Sequence, residues 1–301
     1  MIDLSLLPAP TVIESLDYES ILTERKEYFI SLYPLAEKDD IAATLAIESE
    51  PIVKLLQESA YRELLLRNRV NTAAASVMLA FAAGADLDQI GANYDVTRLV
   101  IAEADAAAVP PVDAVYESDV DYRNRIQLSL DGYTTAGSKE SYIFYGLSAD
   151  GNVKDIQPVS PVPGAVTVYV LSRDGNGTAS EELTAKVNAA LNQDTIRPMT
   201  DQVTVQSAAI VNYSVIAELV MLNGPDQSVV LQAAINALNE YTESQRKIGY
   251  DITLDGIYKA LRQTGVQRVN LTTPISHITI GNGQCGYCSS VNITIAGDTD
   301  V

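Results

Sequence analysis

Between Glu117 and Val170 the punctuation of the chain leaves the backbone little freedom. ESDVDYRNRIQ places Ser118 three residues before Asp121, an N-cap pattern that starts a helix reaching about Leu130, and Asp131-Gly132 breaks it. Thr134 to Gly137 reads as a loop, and Ser138 caps a second helix ending near Ser148. Then the period changes. Val153, Ile156 and Val159 lead to a turn at Pro161–Gly164, after which Val166, Val168 and Val170 alternate with Thr167 and Tyr169, the pattern of a half-buried strand. Helices followed directly by a hairpin predict an α+β fold.

Upstream the chain is helical. Thr11 and Glu14 have capping-box spacing ahead of a helix predicted to run to Tyr33, with Pro34 as its stop. Ile13, Leu16, Ile21, Leu22, Phe29 and Leu32 supply an apolar face interrupted by Glu24–Glu27, so one side of this helix wants a partner. Pro51 suits the first position of a second helix and Gly84 its C-terminal stop, a rod of about 50 Å. The second half of that rod, AAASVMLAFAAG, carries small residues almost all round and predicts burial in a bundle. Asp86 and Gln89 suggest a short capped helix, and Tyr94 to Ile101 a strand or turn. Ala102 to Val115 is Ala-rich, contains Pro110-Pro111, and reads as a linker.

Downstream, RDGNG is a loop. Thr178 and Glu181 open a helix to about Asn192; Val203 and Val205 begin a strand, and Tyr213–Leu222 forms a long one stopped by Asn223-Gly224-Pro225. Helices are predicted from Ser228 to Lys247 and from Leu254 to Gln263, then strands from Val266, at Ile278–Ile280 and at Val291–Ile295. The expected organisation is a helical arm over 1–115, an α+β domain over 116–222, and an α+β dimerisation or ring-contact domain over 223–301. Its sheets should be mainly antiparallel. One echo is visible: Tyr142–Leu147, Gly151 and a Pro-bearing hairpin resemble Ile257–Leu261, Gly265 and a Pro-bearing hairpin, through duplication or through shared α+β grammar.

The side-chain inventory is poor for catalysis. Trp is absent and His occurs once, at His277, although His is the usual general base near neutral pH. Cys285-Gly-Tyr-Cys288 is a C-x-x-C unit, but with His277 it offers three metal ligands where zinc wants four, and a Gly-rich turn between strands is the wrong place for a redox pair. The favoured reading is a hairpin tip with two ordinary thiols; the rival is a metal-binding or redox enzyme using Cys285, Cys288 and His277. Asp174-Gly-Asn-Gly-Thr begins like a calcium loop, yet the twelfth position is Ala185 where a bidentate Glu is required, leaving a glycine turn. Glu181 and Glu182 suit a helix N-terminus. Arg123 and Arg125 fall on different faces of their helix and could bridge to acidic neighbours on two sides; the favoured reading is a solvated helix. No phosphate loop or nucleophile elbow occurs, and no cofactor is expected.

Twenty Lys and Arg stand against 39 Asp and Glu, a net charge of −19. That balance argues against nucleic acid and leaves neutral or basic partner surfaces, or simple solubility, as its explanation. Residues 1–10 lack a secretion signal, and Ala73–Ala83 is about half the roughly 20 apolar residues of a membrane span, so no membrane partner is expected. Two cysteines build no disulfide framework, which predicts a protein made and kept soluble in a reducing cytosol.

Several segments, in order, resemble one family: MIDLSLLPAP, GADLDQIGANYDVTR, ESDVDYRNRIQ with TTAGSKESY, PVPGAVTVYVL, IRPMTDQVTV, and RKIGYDITLDGIYKALRQTGVQRVNL. The chain is identified by them as similar to the baseplate J-like family of contractile phage tails, over nearly its whole length. The resemblance implies a structural wedge protein of the virion's tail baseplate, assembled in the host cytoplasm, and not an enzyme. It implies that copies pair within a wedge and that wedges close a ring around the central hub and spike. It also implies arms that bundle with a wedge protein resembling tail protein I, a lysozyme-like wedge protein docked on the same unit, and a ring that rearranges as the sheath contracts. CGYC has no counterpart in what the family implies. The partner-binding residues expected on the arm are Leu16, Ile21, Phe29 and Leu32.

Overall fold

The computed structural model describes residues 2–8, 10–134, 137–222 and 226–296. The predicted strand stop at Asn223-Gly224-Pro225 and two residues of the predicted loop, Thr135 and Ala136, lie outside these. The fold is α+β, and the chain divides into two compact units between Asp95 and Val96.

The first unit is helical, with α1 (Tyr18–Ser31), α2 (Lys38–Leu45), α3 (Pro51–Ser76) and α4 (Gly84–Ala92). Its core is narrow. Ile21 and Leu22 of α1 bury against Ala60 of α3, flanked by Tyr18, Leu56 and Leu64. The small side chain of Ala60 lets the two helices approach, and Arg25 ties the contact by bonding Ser59 and Glu63. The predicted Thr11–Glu14 capping box does not form. The cap is Asp17, whose carboxylate accepts from Ser20 N at 2.8 Å. The reason is tertiary: Asn71 of α3 takes both backbone groups of Glu14, accepting its N–H at 3.1 Å and donating to its C=O at 2.8 Å. Residue 14 is therefore held outside the helix. The second helix stops at Ser76, and Gly84, with φ +53°, lies at the start of α4 instead of ending α3. The small-residue stretch Ala73–Ala83 is mostly half-buried or exposed in the single chain, with only Ala82 buried. The helix α2 went unpredicted.

The second unit opens with a hairpin where a linker was predicted. Strands β1 (Val100–Ala102) and β2 (Val115–Tyr116) pair antiparallel, and Asp105 bridges Val112 beyond them. Helices α5 (Asp119–Gly132) and α6 (Lys139–Leu147) follow, capped by Ser118 and Ser138 as predicted. Then come β3 (Val153–Val162), β4 (Ala165–Ser172), α7 (Glu181–Leu191) and β5 (Gln202–Ser207). The cap of α7 is Ser180, two residues after the predicted Thr178. β3 and β4 pair antiparallel, β4 and β5 parallel, and α6 and α7 pack on the valine-rich face.

The remaining elements are β6 (Ala209–Met221), α8 (Gln227–Ser244), α9 (Leu254–Leu261), β7 (Val266–Thr273) and β8 (Gln284–Ile295). Here β6 is central, antiparallel to β7 and parallel to β8. Tyr213, Val215, Ala217 and Leu219 alternate along β6 into a core completed by Val230, Ala234 and Leu238 of α8 and Ile257 and Leu261 of α9. At Gly256 a Cβ would stand 2.3 Å from the Tyr241 ring, so α8 and α9 meet only because that position is glycine. The internal echo does not extend to strand pairing: β3 and β4 form a hairpin, whereas β7 and β8 lie on opposite sides of β6. Ile278 makes a single bridge to Ile252 instead of the predicted strand.

The two sheets are joined by one run of backbone. Only Ala208 separates β5 from β6; its N–H donates to Val170 O at 2.9 Å, and the next residue, Ala209, donates to Gly283 O at 2.8 Å. The chain thus leaves one sheet and enters the other within a single residue.

Candidate functional site

Three regions stand out: exposed apolar residues of the helical unit, a buried ion pair, and the junction of the two sheets. The first is the surface of the helical arm. Of the four residues predicted to bind partners, Ile21 is 5% exposed and is covered by α3 within the chain, Leu16 and Phe29 are half-buried, and Leu32 is 63% exposed. Phe29 stacks on Tyr33 at 5.4 Å. The structure also exposes apolar residues that sequence reading did not single out. Leu66, Val70 and Val77 are 68%, 60% and 75% exposed, with Ala73 exposed between them. Leu66, Val70 and Ala73, spaced four and three apart, lie on one stripe of α3, turned away from the Ala60–Leu64 side that meets α1, and Val77 follows as the C-cap. This stripe was legible in principle: the charged residues Arg62 to Arg69 masked it by dividing the helix into alternating pieces.

The second region fixes the base of the β1–β2 hairpin. Arg125 and Glu117 are each 4% exposed. Arg125 Nε donates to Glu117 Oε1 at 2.8 Å, and Nη2 to Oε2 at 2.6 Å, a bidentate pair. The guanidinium also donates to Thr97 O at 2.6 Å and to Ser148 Oγ at 3.1 Å, while Glu117 Oε2 accepts Leu99 N–H at 2.9 Å. Tyr122 completes the cluster, its hydroxyl on Val96 O at 2.7 Å and its ring under Arg98 at 4.7 Å. The solvated helix predicted around Arg125 is therefore corrected. A buried charge persists only when paired and hydrogen-bonded, and every donor used here meets an acceptor from a different element. Gly151 adds a contact that no other residue permits, since a Cβ there would lie 2.2 Å from Val100 O.

The third region is the junction of the two sheets. Leu171, Ala208, Ile248 and Cys285 form a small buried core, with Tyr169 and Ile210 against it. Around it, Asp155 Oδ2 accepts Ile248 N–H at 2.8 Å, Gln157 Oε1 accepts Gly283 N–H at 2.7 Å, and Lys154 pairs with Glu243. Arg246 donates to Gly175 O at 2.7 Å and lies 5.4 Å from the Tyr287 ring centre. Burial pushes the Asp155 carboxyl up, opposed by the N–H groups of Ile248 and Ile156 that it accepts. These residues carried no signal in the sequence, because each partner lies tens of positions away.

The C-x-x-C unit sits inside β8, not at a hairpin tip. Residues three apart on a strand face opposite sides. Cys285 accordingly packs into the junction core, while Cys288 packs against the α8–α9 core. Burial pushes the Cys285 thiol up to about 11 and raises Cys288 as well, the opposite of what an activated thiolate needs. His277 Nδ1 accepts Leu254 N–H at 3.1 Å, serving the start of α9. Among the described residues, no three His, Cys, Asp or Glu side chains are grouped to hold a metal ion. Asp174–Thr178 forms a turn in which Gly175 and Gly177 take φ +55° and +104°. No helix of the described residues is long and apolar enough to cross a membrane.

The chain is α+β, a helical unit followed by two sheets that Ala208 joins. The Baseplate J-like N-terminal domain matches residues 48–105 and the Baseplate J-like central domain residues 134–207. "Baseplate protein J" of Escherichia phage P2 is 51% identical over 300 residues, covering 100% of this chain and 99% of that protein. The chain belongs to the baseplate J-like family. Among solved structures, a chain of the anti-feeding prophage baseplate aligns with 60% of this chain and 43% of its own length, at 13% identity and a TM-score of 0.41.

Proposed function

We propose that this protein is a structural wedge component of a contractile-tail baseplate, acting through assembly and not through catalysis. Its place as a virion tail protein rests on family membership and on full-length identity to the phage P2 baseplate protein. The single structural observation that supports an assembly role is the exposed apolar surface of the arm, with Leu32, Leu66, Val70 and Val77 uncovered in the single chain. Exposed patches of this kind mark interaction sites.

In this reading the arm, taken as residues 1–115, bundles with a wedge protein resembling tail protein I, and a lysozyme-like wedge protein docks on the same unit. The α+β domains, 116–222 and 223–301, pair copies and link wedges into a ring about the central hub and spike. The pinned junction suits that task, because a part that transmits a rearrangement to the sheath has to move as a body. Assembly in the host cytoplasm accords with two unpaired cysteines.

The test is co-purification. Leu16→Asp combined with Phe29→Asp is expected to abolish capture of co-expressed wedge partners while the α+β unit keeps its circular dichroism and cooperative unfolding. Undiminished capture would refute the role given to α1.

A further inference from the structure

The connection between β7 and β8, residues 274–283, contains one titratable side chain, His277, and is lashed to the segment that leads into α9. Ile252 and Ile278 exchange both backbone bonds, at 3.0 and 2.9 Å. Flanking that pair, Asp251 Oδ1 accepts Ile280 N–H at 2.6 Å, and His277 Nδ1 accepts Leu254 N–H at 3.1 Å. Leu254 is the first residue of α9, and the opening N–H groups of a helix have no partner inside it. Thr253 Oγ1 takes one of them, that of Gly256 at 3.2 Å, and the imidazole takes another. The ring is exposed, whereas Ile252 is fully buried and Ile278 packs on the α8–α9 core. Packing thus holds the middle of the lashing, while a single imidazole nitrogen holds its end at α9.

We propose that residues 274–280 form a proton-sensitive strap, fastened to the start of α9 while the His277 ring is neutral and loosened when Nδ1 takes a proton. A neutral imidazole with its proton on Nε2 offers Nδ1 as an acceptor, whereas the cation has two donors and no acceptor. Leu254 N–H then faces a donor, and a positive charge stands at the positive end of the helix dipole. The charged groups on the surrounding elements are few. The segment leading into α9 brings Asp251, α9 brings Asp255 and Lys259, and the strap brings none besides the ring itself. Arg246 and Lys247, earlier in that segment, are engaged with Gly175 O and beside the Tyr250 ring, and Tyr241 of α8 bonds Thr253. A carboxylate that draws the cation toward itself turns the ring away from Leu254, which works in the same direction. The Ile252–Ile278 pair has no titratable atom, so the strap loosens at one end and is not shed. The freed stretch carries Ile275, 90% exposed. This device does not depend on the assembly role given above.

The test uses the full chain, with NMR on the ring and hydrogen exchange on the backbone. His277 is the single histidine, so its ring nitrogen and proton signals are unambiguous and report both tautomer and titration. The neutral ring should be the Nε2–H tautomer. Protection of the Leu254 amide, corrected for the intrinsic pH dependence of exchange, is expected to fall about fivefold along the same curve as the ring titration, the scale of one hydrogen bond. Protection of Ile257, whose N–H is bonded to Thr253 O, should hold over that interval. His277→Asn sets an oxygen acceptor near the place of Nδ1 and should keep Leu254 protected at every pH, whereas His277→Ala should show the low protection throughout. Both variants change an exposed side chain, so circular dichroism and thermal unfolding should match the parent protein; if His277→Ala fails to fold, the parent's titration and His277→Asn decide. Protection of Leu254 unchanged through the ring titration, an Nδ1–H tautomer in the neutral ring, or a His277→Asn variant that responds over the same pH interval would each overturn the proposal.

Discussion

Replacing Arg125 with Met tests whether the buried ion pair holds the second unit together. Met fills much of the same volume, so the principal change is electrical. Glu117, 4% exposed, would lose two guanidinium bonds at 2.8 and 2.6 Å and keep only Leu99 N–H among its contacts to Oε2. Thr97 O and Ser148 Oγ would also lose their donor. Removing one partner of a buried pair costs about 3–5 kcal/mol, because a charge is left in low dielectric without compensation. With a urea dependence of roughly 2–3 kcal/mol per molar, the unfolding midpoint should fall by about 1–2 M. The chain has no Trp, so unfolding is followed by circular dichroism and Tyr emission. Glu117→Gln alone should cost less, since the guanidinium keeps neutral acceptors. The double variant Glu117→Met with Arg125→Met should recover part of the loss, as apolar replacement of a whole buried pair is often close to neutral. A single-variant loss below about 1 kcal/mol, or a double variant as damaged as the sum of the singles, would show that the pair is not the clamp described.

Two further outcomes follow from close packing and from titration. Gly151→Ala should destabilise the second unit by roughly 1–3 kcal/mol and raise hydrogen exchange at Val100 and Ile101, because its Cβ would meet Val100 O at 2.2 Å; unchanged exchange would contradict that contact. The thiol of Cys285 is pushed by burial up to about 11 from 9.0. A raised folded value means stability is held at lower pH and lost as pH rises through that interval, by up to about 2 kcal/mol. Thermal unfolding between pH 8 and pH 11 should therefore fall more steeply for the parent protein than for Cys285→Val, and parallel curves would refute it.

Local signals sufficed at Ser118, at Ser138 and along β4, but not at the starts of α1 and α7, where the caps are Asp17 and Ser180. Ser118 and Ser138 cap their helices because an N-cap is an interaction over three residues, with bonds to Asp121 and Ser141 N–H at 3.2 Å in each case. The valine alternation of β4 and the helix–Gly–strand grammar were readable for the same reason. The Thr11–Glu14 box failed because Asn71, far along the chain, claims the Glu14 backbone. The Ala-rich segment read as a linker because hairpin pairing depends on Glu117 and Arg125 being buried together, which no local pattern announces. The C-x-x-C unit was placed at a turn because only strand pairing along β6 shows both cysteines to be inside β8.

Sequence alone determined the class, the helical start, the caps at Ser118 and Ser138, the scarcity of catalytic groups and the acidic charge, since these depend on composition and on neighbours a few residues apart. Tertiary structure decided what those pieces are for. It buried Ile21 and exposed Leu66, turned Arg125 from a solvated side chain into the centre of a clamp, and joined two sheets through Ala208. The physical reason is that burial is a property of what surrounds a side chain, and the surroundings of these residues come from segments distant in the chain.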